Sequence, residues 1–171
     1  MFARHCALKR GTTLRVLNLR ALRTSPRMKV PGLRSPHDKV AGLVYFGRML
    51  DKIRLHQRGE LPADFRENLG EGFDKACVQF LGVPYADLVA HVQGSPSDDE
   101  ALAWCRAHGR QFTEQDAYVW NEFMRKRGWN DVASERLKQR KTEGGFTARD
   151  EIQTMFDYID ADEERPVRAL V

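Results

Sequence analysis

Acidic residues are missing from the first 27 positions of this sequence, although 24 of its 171 residues are Asp or Glu. The same stretch holds seven basic residues: Arg4, Lys9, Arg10, Arg15, Arg20, Arg23 and Arg27. The positive balance of the whole chain, a net charge of +4 and a pI near 9.1, therefore has a local origin. Residues 28–171 keep 21 of the 28 basic residues against all 24 acidic ones, a net charge of −3. That weakens the case for a nucleic-acid binder, which needs Lys and Arg concentrated on the folded surface. Cysteine is also scarce. Cys6, Cys77 and Cys105 are odd in number, far apart and without a C-x-x-C pair. This argues against a disulfide framework and for reduced thiols in a cytosol-like compartment. Long apolar runs are absent and 30% of residues are charged, which excludes a membrane-spanning helix. The 42% apolar content in turn excludes a wholly disordered chain. A chain of this length makes one domain that needs no metal or disulfide staple.

Residues 1–27 lack the apolar centre of a secretory signal. Their composition suits an organelle transit peptide. A basic surface helix over Thr12–Leu22 is a further option, but Leu14, Leu17, Leu19 and Leu22 hold no single stripe. We read the segment as an extension ahead of a biological start at Met28. The expected organisation is a basic extension (1–27), a single all-α domain (28–165) and a loose C-terminal tail (166–171).

The punctuation after Ser35 is helical. Ser35-Pro36 supplies an N-cap hydroxyl and a first-turn proline for a helix to about Gln57. A short turn of helix is expected around 62–68, then helices over 73–81 and 84–93. The patterns Ser97-x-x-Glu100, Thr113-x-x-Asp116 and Thr147-x-x-Asp150 resemble capping boxes, opening helices that end near Gly109, Gly128 and Asp160. Asn130-Asp131 opens a polar helix to about Lys141. No segment shows the strict alternation of a strand. The expectation is a compact bundle of about six to eight short helices around one central apolar helix.

That central helix, 36–57, is apolar nearly all round and so belongs inside the domain. It nevertheless carries Arg48, Asp51, Lys52 and Arg54. A lone buried ion is very costly, so these charges must be paired or reach solvent. Asp51 lies three residues from both Arg48 and Arg54, within reach of either. Internal ion pairs explain the pattern. The functional alternative is a polar pocket floor, with Arg48 or Arg54 free to take an anion.

The run Gly47-Arg48-Met49-Leu50-Asp51-Lys52-Ile53-Arg54, after Ser35-Pro36, resembles the opening of a bacterial family of small helical domains of unknown function. Phe80-Leu81-Gly82-Val83, Trp104 through Gly109, Trp120-Asn121-Glu122-Phe123 and Phe156-Asp157-Tyr158-Ile159-Asp160-Ala161-Asp162-Glu163 are similar to it too. The resemblance covers about residues 33–165. It implies a cytosolic helical domain and transfers no catalytic residues.

No nucleotide-binding or nucleophile motif is found, and none for a cofactor. Cys105 and His108 share a helix face, but Cys77 and His91 lie too far off in sequence for a standard zinc pattern. The acids from Asp157 to Glu164 lack the spacing of a calcium loop. They sit at a helix C-terminus, against the dipole, and call for a cation from elsewhere. On the helix 114–127, Val119, Trp120, Phe123 and Met124 form one stripe, while Asn121 and Arg125 share another edge. Arg125-Lys126-Arg127 with Trp129 combines cations and an aromatic. The leading expectation is non-catalytic binding of a small anionic ligand or a protein partner by Arg48, Asp51, Lys52, Arg54, Trp120, Asn121, Arg125 and Trp129. A carboxylate-based or metal-assisted enzyme, the former using Asp51 with acids of the 157–163 run, is the alternative, and an RNA-associated module the third option.

Overall fold

The structure is a computed structural model and describes residues 28–167. The transit-peptide and basic-helix readings of residues 1–27 lie outside the described residues, as does the end of the tail. Eight helices dominate: α1 (Phe46–Gln57), α2 (Ala63–Arg66), α3 (Phe73–Leu81), α4 (Tyr85–Val92), α5 (Asp98–His108), α6 (Glu114–Lys126), α7 (Ser134–Glu143) and α8 (Met155–Asp162). A two-stranded antiparallel hairpin, β1 (Lys39–Val40) with β2 (Leu43–Val44), precedes α1. The all-α expectation holds, with this one small addition.

The hairpin corrects the expected helix 36–57. Ala41 and Gly42 both take positive φ, 44° and 87°, the requirement of a tight hairpin turn. Ser35 caps a turn, not a helix: its Oγ accepts from His37 N–H, and its own N–H donates to Asp38. Buried Val40, Leu43 and Val44 looked helical in spacing because the hairpin presents them to the core. Asn121 of α6 holds it there. Its side chain accepts from Val44 N–H at 2.9 Å and donates to Gly42 O at 2.8 Å, and Trp120 Nε1 donates to Val44 O.

Two further helix starts move. The capping pair of the last helix is Thr154 with Asp157, seven residues beyond Thr147 and Asp150. Residues 147–152 instead form turns whose carbonyls at Arg149 and Ile152 accept from Lys141 Nζ. Helix α7 starts at Ser134, because Asp131 caps the preceding turn by accepting from the N–H groups of Gly128 and Ala133. The boxes at Ser97 and Thr113 form as read, each with both reciprocal hydrogen bonds.

The main core gathers Phe46, Met49, Leu50 and Ile53 of α1 with side chains from α3, α4, α5 and α6. A second cluster packs Leu137 of α7 against Tyr158 and Ala161 of α8. Arg48 of α1 pairs with Glu163 at the C-terminal end of α8.

Candidate functional site

The charges of α1 leave the helix on two sides. Asp51 and Arg54 share one side, with a loose contact of 3.9 Å between them. Asp51 is taken by Arg34, which brings Nε and Nη2 to its two oxygens at 2.7 Å each. Arg34 crosses α1 at Gly47, where an added Cβ would lie 2.8 Å from the guanidinium carbon. Arg34 and Arg54 both reach Asp98 at the start of α5, at 2.5 and 2.6 Å. Burial works against the ionised Asp98, but hydrogen bonds from Arg34 and Arg54 hold its carboxyl below the usual range.

Arg48 and Lys52 share the other side, and both are buried. Arg48 forms a two-pronged pair with Glu163, and its Nη1 donates to Arg34 O at 2.7 Å. Burial disfavours the Arg48 cation, and Glu163 more than restores it. Asp51 thus pairs with Arg34 and only loosely with Arg54, while Arg48 turns to α8. The cation that the acidic end of α8 calls for is Arg48, joined by Arg165, which also contacts Glu163. Lys52 Nζ lies 2.5 Å from Asp74 of α3 and 3.2 Å from the Tyr45 hydroxyl, which itself donates to Asp74 at 3.0 Å. Burial lowers the Lys52 pKa, even with Asp74 beside it. Tyr45 precedes α1 at φ 70°, in a left-handed conformation that costs a bulky residue about 1–3 kcal/mol. Its ring is held by Phe73 and Phe156.

Tyr45, Arg48, Lys52 and Glu163 form the floor of a cavity of about 420 Å³, a size suited to a small ligand. Phe73 and Ala76 of α3, Phe123 of α6, and Met155 and Ile159 of α8 supply apolar walls. Arg127, Arg136 and Arg140 bring positive charge. Arg127 is paired with Asp131 at 2.9 Å and lies over the Phe123 ring. Among the described residues, the Arg136 guanidinium donates only to the Gln139 side-chain oxygen, at 2.7 Å. The Arg140 guanidinium makes no hydrogen bond or ion pair with any described residue. The cavity lining carries five cations against three acids, Glu71, Asp162 and Glu163.

Of the residues singled out in the sequence, Arg48 and Lys52 line this cavity. Asp51 and Arg54 lie on the Arg34–Asp98 side. Trp120 stacks on Phe80 at 4.7 Å, and with Asn121 it fixes the hairpin. The buried face of α6 is Trp120, Asn121 and Met124, whereas Val119 and Phe123 are half-exposed or more. Arg125 pairs with Glu122 at 3.7 Å, and Trp129 is exposed. Asp157 and Asp160 face Ser35 and His37: Ser35 Oγ donates to Asp160 at 2.8 Å, and His37 Nε2 stands 3.7 Å from Asp157. Cys77 and Cys105 are free thiols in the core, and burial pushes the Cys105 pKa up to about 12. Sequence reasoning missed Arg34, Tyr45, Asp74, Arg136 and Arg140. The last two left no local sign, since they sit one turn apart on a polar helix whose one buried position is Leu137.

Residues 30–165 match the family described as Domain of unknown function (DUF5069). The chain belongs to that family. No curated protein matches it. No helix of the described residues is long and apolar enough to cross a membrane.

Proposed function

We propose that this domain binds a small anionic ligand, without catalysis, in the cavity between α1, α3, α6, α7 and α8. The observation that carries this reading is the Arg136–Arg140 pair. Like charges four residues apart on a helix repel and destabilise it slightly. Here neither guanidinium has a carboxylate partner among the described residues, and both line a cavity with apolar walls. A carboxylate or phosphate would relieve the repulsion and take bidentate hydrogen bonds from planar guanidinium groups. The strained Tyr45 on the floor adds support, since backbone strain collects at ligand sites. A cytosol-like compartment fits the two buried free thiols.

Isothermal titration of the full chain with benzoate and with inorganic phosphate tests the proposal. Saturable binding is expected to at least one of them. The Arg136→Gln, Arg140→Gln double variant, which removes no internal ion pair, should lose it. Binding that survives the double substitution contradicts the proposal.

A protein partner is the second reading, favoured by Tyr118, Val119, Phe123, Trp129 and Val132, which expose large apolar surface on and after α6. The carboxylate-enzyme alternative finds less support, because Asp51 and the acids of α8 are committed to different cations.

A further inference from the structure

On the reading that Arg136 and Arg140 hold the anion, the cavity floor decides the chemistry of the ligand's other end. Both floor cations are already neutralised, Lys52 by Asp74 and Arg48 by Glu163. A second anion placed there would lose its hydration without meeting an unpaired cation. Donor capacity nevertheless remains. Lys52 Nζ has three N–H bonds and gives one to Asp74 and one to Tyr45. Arg48 gives its N–H groups to Arg34 O and the two Glu163 oxygens, leaving Nε–H and one Nη2 hydrogen without an acceptor among the described residues. The acceptors, in contrast, are largely used, with three hydrogen bonds on Asp74 and three on Glu163. Asp74 Oδ1 takes Lys52 and Tyr45, and Oδ2 takes the Gly70 N–H. Both Glu163 oxygens take Arg48, and Oε2 also takes Arg165. A floor with spare donors, largely used acceptors and paired charges suits a neutral oxygen acceptor.

We propose that the ligand is an anion with a remote carbonyl: a carboxylate or phosphate on Arg136 and Arg140, an apolar body along Phe73, Ala76 and Met155, and a ketone or amide oxygen on Lys52 and Arg48. Buried donors discriminate strongly here, because an analogue without the acceptor leaves them unpaired.

Titration calorimetry on the full chain with three probes sharing one ring tests this. 4-Acetylbenzoate carries the anion and the carbonyl. 4-Isopropylbenzoate has the same shape without the acceptor, and terephthalate replaces the carbonyl by a second anion. 4-Acetylbenzoate should bind at least about tenfold tighter than either, roughly 1.4 kcal/mol. In Arg140→Gln, 4-acetylbenzoate and 4-isopropylbenzoate should weaken together and keep their ratio. Equal affinities for those two, or terephthalate binding tightest, overturns the carbonyl assignment while leaving the anion reading intact. Binding of benzoate but of none of the three probes does the same. Failure of benzoate, phosphate and all three probes overturns both.

Discussion

Four charges within seven residues of a buried helix are tolerable only because each finds a partner brought in from elsewhere in the chain. Arg48 meets Glu163, 115 positions away, and Lys52 meets Asp74, 22 positions away. Breaking such a pair by removing one partner leaves an uncompensated ion in the core. Lys52→Met should therefore destabilise the protein by about 3–5 kcal/mol. Arg125→Met removes only a half-exposed contact with Glu122 and should cost less than about 1 kcal/mol. Urea unfolding of the two variants checks the contrast, and equal losses would sink it. At this scale the sequence revealed which residues carry the charge, since ions on an apolar helix are visible as a pattern. Their partners were hidden, because Arg34, Asp74, Asp98 and Glu163 reach α1 only through tertiary folding. The cavity-facing arginines of α7 were hidden for a related reason. On a helix with one buried residue, nothing local distinguishes a cation facing solvent from one facing a cavity.

At the scale of the element, two identical T-x-x-D patterns compete for the start of α8, and the chain uses the second. Thr154→Ala should cost about 0.5–2 kcal/mol, the usual loss of a helix N-cap. Thr147→Ala should stay within about 0.5 kcal/mol, as for an ordinary surface position. Chemical denaturation that ranks the two the other way contradicts this assignment. The hairpin yields a second expectation. Asn121→Ala leaves the buried Val44 N–H without its acceptor, a loss of about 1–3 kcal/mol. Helices with a single capping box and a glycine stop, such as α5, were legible because their signals are local. The hairpin was not, because two residues per strand are too few to show alternation, and Val40 and Val44 also fit a helical face. What fixes the hairpin is Asn121, 77 residues from Val44.

Across the whole molecule, ion pairs tie Arg34 to α1 and α5 and a Ser35 hydrogen bond to Asp160 ties the same segment to α8, so stability should depend on acid. Asp98 is held below its ordinary pKa by Arg34 and Arg54. Asp157 is held low by His37 and by Thr154 and Gln153, against burial. A carboxyl whose folded pKa lies below its unfolded value stabilises the protein above the unfolded value. That contribution is lost as pH falls through the folded pKa. Asp160, raised by burial, acts in the opposite sense. Stability should hold at mildly acidic pH and drop below about 4, where free carboxylates protonate. Asp98→Asn should lower stability at neutral pH and flatten that acid limb. Urea midpoints recorded against pH would show it, and an unchanged slope in Asp98→Asn would count against the assignment.

The central claim is that the arginines of α7, not the cation–aromatic cluster of Arg125 and Trp129, receive an anion. The most direct measurement is a nuclear magnetic resonance titration of the ¹⁵N-labelled full chain with benzoate, following arginine Nε–H and tryptophan indole signals. The account predicts saturable shifts at Arg136 and Arg140, with the Trp129 indole and Arg125 unmoved. Shifts at Trp129 and Arg125, with Arg136 and Arg140 unchanged, would contradict it.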